Sequence, residues 1–214
     1  MRVILLAGAG GIYTSNAYLV LGDWSALEDV NTLVDVGRDP AVLESIEQAP
    51  TGVGKPKVEQ VVLTHGHYDH TSLLPLVRET FHPKVLAAAH CVAGVDELVK
   101  GGDLLRMGDR TIEVIHTPGH TSDSICLYEP LDGVLFAGDT PLLIRTAGGT
   151  YEAGYVAALR HLCARDIRRI YFGHGEPLAG NCNARLRESL RVVEGSDILT
   201  ASLAAAEETR PAHA

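Results

Sequence analysis

Between Val61 and Leu74 the chain reads VVLTHGHYDHTSLL, which puts His65, His67, Asp69 and His70 within six positions, directly after an apolar run. Neutral imidazoles and carboxylates are good ligands for zinc, iron or manganese. In an extended segment alternate side chains project to the same side, so His65 and His67 face one way if strand geometry persists that far. The chain must then turn into a helix starting near Thr71. Asp69 and His70 fall in that turn, near a helix N-terminus, and can fold back towards the same cavity. Three further candidate ligands each follow a strand-like run and sit beside glycine: His120 in IHTPGHTSDS, Asp139 in VLFAGDTP and His174 in IYFGHGEP. Ligands placed by tight Gly and Pro turns at strand ends are how α/β proteins build sites at one sheet edge. His82, His90, His116, His161 and His213 are read as ordinary core or surface residues.

Such ligands need strands and helices to hold them. Runs rich in β-branched or large apolar residues predict strands at 15–22, 31–37, 58–64, 84–89, 110–117, 124–129, 133–138 and 167–173. The opening MRVILLAGAGG reads as a first strand and turn, because a signal peptide has a longer apolar region and a clear cleavage site. Its GAGG, at 8–11, is a turn and not a dinucleotide loop: the third glycine is missing at the right offset. Helices are predicted from Asp39, with Asp39 as cap and Pro40 in the first turn, and over 71–81, 151–164 and 184–195. Pro75 is tolerable because it falls in a first turn. The chain is therefore mixed α/β with two sheet-forming halves. One domain is expected over 1–195, followed by a helical or loose tail over 196–214.

Composition narrows the function. With 214 residues, 46% hydrophobic and 21% charged, the chain is an ordinary globular protein long enough to bury a core. A net charge of −9 argues against nucleic acid as a partner, since phosphate contacts need clustered Lys and Arg. No apolar run approaches the length of a membrane span. Cys91, Cys126, Cys163 and Cys182 form no C-x-x-C pair and read as free thiols in a reducing cytoplasm. A small-molecule substrate is the expected partner, and a homodimer is compatible with the chain.

The ordered set T-H-x-H-x-D-H (64–70), T-P-G-H-T (117–121), G-D (138–139) and G-H-G-x-P (173–177) resembles the metallo-β-lactamase superfamily, and the resemblance runs from Asn16 to Pro177. It implies a four-layer αββα sandwich of two mixed β-sheets flanked by helices, with metals at one edge of both sheets. Carried over by position, it implies that His65, His67 and His120 hold one metal, that Asp69, His70 and His174 hold a second, and that Asp139 bridges them. Asp35, in LVDVG, resembles the family's buried aspartate beside the site; a turn or helix-capping carboxylate is the competing reading.

Two divalent ions, zinc by preference with iron or manganese as alternatives, can share one activated water. The resemblance then implies a binuclear hydrolase whose bridging hydroxide cleaves an ester, thioester or lactone of a small molecule, with Asp69 also orienting the nucleophile or shuttling a proton. The glyoxalase II-like hydrolases and the persulfide dioxygenases are the subgroups it most resembles. The rival reading is a mononuclear iron persulfide dioxygenase with His65, His120 and Asp139 as ligands, suggested by LLIR after G-D. A nuclease and a non-catalytic metal-binding protein rank lower. Arg145 is expected near the pocket mouth because it follows Asp139 closely. Tyr68 either faces the substrate or packs on the loop, and Tyr151 lies too far on to act as a tyrosine beside Asp139.

Overall fold

The computed structural model of the chain describes residues 1–6 and 11–199. Its first half runs β1 (Arg2–Leu6), β2 (Ala17–Leu21), β3 (Thr32–Val34), α1 (Ala41–Gln48), β4 (Gln60–Val62), α2 (Tyr68–Thr71), α3 (Leu74–Phe81), β5 (Lys84–Ala87) and β6 (Glu97–Leu98). The second half runs β7 (Leu104–Met107), β8 (Arg110–His116), β9 (Ile125–Glu129), β10 (Val134–Gly138), β11 (Thr150–Glu152), α4 (Ala153–Cys163), β12 (Arg169–Phe172), β13 (Leu178–Ala179), α5 (Cys182–Glu194) and β14 (Asp197–Leu199). One six-stranded sheet has the order β1-β2-β3-β4-β5-β6 and the other β13-β12-β10-β9-β8-β7. Both are mixed: β3 to β6 pair in parallel beyond an antiparallel β1-β2-β3 edge, and β10 pairs in parallel with β12 but antiparallel with β9.

Strand alternation builds the layers. On β2, Tyr18 and Val20 face the second sheet while Ala17, Leu19 and Leu21 join the core under α1 and α3, with Val42, Ile46, Leu74 and Val77. On β10, Val134 and Phe136 meet the first sheet, while Leu135 and Ala137 pack with Val156, Leu159 and Leu186 of α4 and α5. Both sheets are thus covered on both faces, which is why their strands read as continuous apolar runs. Each fully buried Leu, Ile or Val here contributes about 1.5–3 kcal/mol relative to exposure. The result is the expected four-layer αββα sandwich.

The local expectations hold with shifts at the ends. Asp39 caps α1, its Oδ1 accepting the Ala41 N–H at 3.0 Å, and Pro75 lies in the first turn of α3. The helix after the first histidines starts earlier than expected: Tyr68–Thr71 already form the one-turn α2, so Asp69 and His70 sit on a helix and not in a preceding turn. Tyr151 and Glu152 form β11 and not the start of α4. The strands missed are short or at edges. β6 has two exposed residues and β7 buries only one of four, so neither carries a clean alternation. Residues 197–199, expected in the tail, form β14, paired in parallel with β11. The turn expected at 8–11 falls almost wholly, and the tail from 200 wholly, outside the described residues. No described helix is long and apolar enough to cross a membrane. All four cysteines are free; Cys126 and Cys182 are buried, while Cys91 and Cys163 are partly so.

Candidate metal centre

β8 and β10 both run antiparallel to β9, and β12 runs parallel to β10, so the C-terminal ends of these three strands emerge at one edge. His120, Asp139 and His174 follow those ends. On the first sheet β3 and β4 run in parallel, and Asp35 and His65 follow theirs. The two edges are joined directly, the Ile125 N–H donating to the Thr64 carbonyl at 2.9 Å.

All seven residues expected as ligands meet at this edge. Their donor atoms form three groups, each within 4.8 Å: His65, His67 and His120; His65, His70 and Asp139; and Asp69, His70 and His174. The extended geometry persists through His67 (φ −64, ψ 145), so the rings of His65 and His67 lie 4.6 Å apart on one side. His120 Nε2 is 3.0 Å from His67 Nδ1 and 3.6 Å from Asp139 Oδ2. His174 Nε2 is 3.0 Å from Asp69 Oδ2 and 3.4 Å from Asp139 Oδ2. His65, Asp69 and His70 form a buried floor; His67, His120 and His174 stand nearer solvent.

Beneath the floor a hydrogen-bond chain sets the tautomers. Asp35 accepts from the Thr64 N–H and the Thr64 hydroxyl, each at 2.8 Å, and from His70 Nδ1 at 2.8 Å. Because the Thr64 proton goes to Asp35, the Thr64 oxygen accepts from His65 Nδ1 at 3.2 Å. Both imidazoles therefore carry hydrogen on Nδ1 and aim Nε2 at the cluster. Both Nε2 atoms are buried without a hydrogen-bond partner; His70 Nε2 lies 3.3 Å from Asp139 Oδ1, off hydrogen-bond alignment. Buried polar atoms are rarely left unpaired, and a convergent set of imidazole and carboxylate lone pairs fits divalent cations. Of the two readings of Asp35, this is the one beside the site.

The same charges move the protonation equilibria. Burial pushes His65 down to about 4, aided by His70. Burial also works against a charged His70, but the Asp35 and Asp139 carboxylates outweigh it and raise the group to about 10. Burial would raise Asp139; the adjoining His70 prevails and holds it at about 2.

The cluster opens into a cleft of about 520 Å³, walled by Pro141, Leu142, Leu143 and Phe172 beside His120, Asp139 and His174. A cavity of about 580 Å³ at the opposite ends of β10 and β12 holds no histidine among its lining residues, and its Arg110 is already paired with Asp23 and Asp109. Arg145 does not line the cleft itself but an adjoining groove that shares Leu143 with it. The Ile144 N–H donates to Ser189 Oγ at 2.9 Å, which pins the segment to α5 and carries Arg145 into that groove with Arg185 and Glu188. Tyr68 is exposed, with the Arg38 guanidinium 5.5 Å above its ring. Tyr151 stacks on Tyr155 instead. Sequence reasoning missed the parts played by Thr64 and Asn16. Thr64 directly precedes the first histidine, a signal that was available. Asn16 Nδ2 donates to the Phe172 and Gly175 carbonyls at 3.0 and 2.8 Å, bracketing His174 from far along the chain, and nothing local announces that.

Comparison with known proteins follows the same residues. A family model described as the metallo-beta-lactamase superfamily matches residues 10–90 and 92–174. The chain is 29% identical over 203 residues to hydroxyacylglutathione hydrolase of Rhizobium meliloti (strain 1021), covering 92% of this chain and 75% of that protein. It is 34% identical over 149 residues to the hydroxyacylglutathione hydrolase of Maricaulis maris (strain MCS10), covering 66% and 56% respectively. The crystal structure of ETHE1 from Myxococcus xanthus superposes with a TM-score of 0.63 at 21% identity, covering 91% of this chain and 85% of that one.

Proposed function

The chain belongs to the metallo-beta-lactamase superfamily, and from that premise we propose that it is a binuclear metal-dependent hydrolase of small-molecule acyl compounds, thioesters first, with esters and lactones as related substrates. The observation that carries this reading is the filling of all seven donor positions, in groups that share His65 and His70. The names of the relatives support the thioester, since a hydroxyacylglutathione is an S-acyl thiol.

In this reading His65, His67 and His120 would hold one divalent ion and Asp69, His70 and His174 the other, with Asp139 contributing to the centre; zinc suits the donors best, with manganese or iron as alternatives. Bound there, the ions supply a water ionised near neutral pH and polarise the scissile carbonyl. The chain's own residues do the rest. Asp35 and Thr64 keep the Nδ1 protons of His70 and His65 and so hold both rings in the ligating tautomer. Asp69, buried with Oδ2 facing the cluster, would ligate through one carboxylate oxygen and use the other to orient the attacking water, taking up the proton left by attack and returning it to the departing thiolate sulfur. Leu142, Leu143 and Phe172 receive the apolar part of the substrate and thin the water beside the reacting carbonyl. Cytoplasmic residence and a small-molecule partner, with no nucleic acid or membrane, complete the proposal.

The test is chelation followed by repletion. Stripped protein should lose hydrolysis of aryl thioesters, and zinc or manganese should restore it, with two ions per chain by elemental analysis. One iron per chain, with oxygen consumed alongside glutathione persulfide, would replace this reading with the dioxygenase.

A further inference from the structure

Among the described residues, the phenol hydrogen-bonded to the cluster comes from neither strand-end loop but from the N-terminal segment. Tyr13 Oη lies 3.4 Å from His174 Nε2, and its ring stacks on the imidazole at 5.1 Å between centroids, 18° from parallel. The three residues that follow fix this placement. Thr14 Oγ1 accepts the Arg38 N–H at 2.7 Å, the Ser15 N–H donates to the Asp69 carbonyl at 3.1 Å, and the Asn16 N–H donates to the Gly173 carbonyl at 2.6 Å. The segment is therefore stitched to the ligand-bearing turns of both sheets, and Tyr13 rises over their junction with 62% of its surface exposed. Tyr18 and Tyr155 are committed elsewhere, Tyr18 Oη donating to the Phe172 carbonyl and Tyr155 Oη to the Pro141 carbonyl, while Tyr68, between His67 and Asp69, carries the Arg38 guanidinium over its exposed ring.

We propose that Tyr13 is a further catalytic residue, whose hydroxyl donates a hydrogen bond to the substrate carbonyl oxygen as that oxygen gains negative charge. The inference rests on the hydrolase reading above and names a group that reading does not use. His174 Nε2 is the nitrogen that would ligate a cation. A lone pair committed to a cation cannot also accept a phenolic proton, so loading the site frees the Tyr13 hydroxyl while the stitched segment keeps it beside His174 at the cluster. No bond is made or broken at Tyr13: the proton stays on the phenol and the hydrogen bond strengthens as the tetrahedral oxyanion forms. The stacked ring limits where the hydroxyl can go, so the donor is in place before substrate arrives.

Tyr13→Phe removes the donor and keeps the ring. Its kcat should fall by about 100-fold on aryl thioacetates, with KM within about threefold and full metal content. The loss should be the same across a series of thiol leaving groups, because the bond is to the carbonyl oxygen. A second readout needs no turnover. Zinc titrated into chelator-stripped protein should give an ultraviolet difference signal in the tyrosine band that saturates with the metal and is absent from Tyr13→Phe. The proposal is overturned by unchanged kcat, by a kcat loss matched by lost metal, or by a loss that grows with the leaving thiol's basicity. If loaded wild-type protein cleaves no acyl substrate, the hydrolase reading falls by itself. Tyr13 is then judged on the difference spectrum, and identical wild-type and variant signals end the proposal.

Discussion

Asp35 carries more of the site than any residue that touches it. Its backbone sits in the left-handed region, at φ 54, a conformation that costs a non-glycine residue about 1–2 kcal/mol. In return one buried carboxylate accepts three hydrogen bonds of 2.8 Å and orients two imidazoles. Asp35→Asn should therefore weaken metal binding by about 10- to 100-fold, read by competition with a chromophoric chelator, while leaving the fold intact; an unchanged affinity would remove the tautomer argument. Protonation follows from the same contacts. With His70 raised to about 10, the metal-free protein holds both ring protons at neutral pH, so loading should release the His70 proton together with that of the water the ions ionise, more than one per chain in a pH-stat titration. The metal-free protein should also have a pH optimum of stability. His70 is raised above its ordinary 6.5, so its contribution is full below 6.5 and is lost as pH climbs through 10. His65 is lowered, so the unfolded chain takes up its proton first, and stability falls as pH drops from 6.5 through 4. Asp139 is also lowered, and its contribution, present above 3.8, is lost as pH falls through 2. Thermal denaturation of chelator-treated protein should accordingly peak near pH 6.5.

At the level of elements, the turns after β10 and β12 are shaped by what stands against their glycines. Gly138 has φ +50, and a Cβ there would lie 2.5 Å from Thr64 Oγ1 and 2.7 Å from Thr64 Cβ. Gly138→Ala should therefore cost stability, about 1–3 kcal/mol, because both the backbone and a packed threonine resist it. A Cβ on Gly173 would meet Asp139 Oδ1 at 2.2 Å and His70 Cε1 at 2.6 Å, the ends of side chains aimed at the cluster. Gly173→Ala should cost metal and stability together, because the His70 ring is buried and held by Asp35 and the Gly138 backbone carbon also stands 3.1 Å from that Cβ. Denaturant titration and metal analysis should show both losses in each variant, since Thr64 Oγ1 also holds His65, and a variant with full stability and full metal content would contradict it. G-D and G-H-G were legible in the sequence as motifs, but the reason for each glycine lies in a side chain on another strand.

For the whole molecule, the cluster joins the two sheets: His65, His67, Asp69 and His70 come from the first, His120, Asp139 and His174 from the second. A ligand that binds only the assembled state stabilises it by mass action, by about 4 kcal/mol at a thousandfold excess over Kd. Chelation should lower the Tm by on the order of 10 °C and zinc should restore it, measured by calorimetry. By itself the sequence determined most of the strand-and-helix order, the two sheet halves and the seven candidate donors that the fold brings together, because residue type, alternation and the placing of Gly and Pro after a strand are local properties. Edge strands such as β6 and β7 escaped it, because they bury too little to leave a pattern. The tertiary structure alone decided which ring nitrogens face the cluster, that Arg145 turns away towards α5, and that Tyr13 comes to lie on His174, 161 positions distant. Those outcomes depend on how two separately built sheets meet, and a contact between remote segments has no signature in either one.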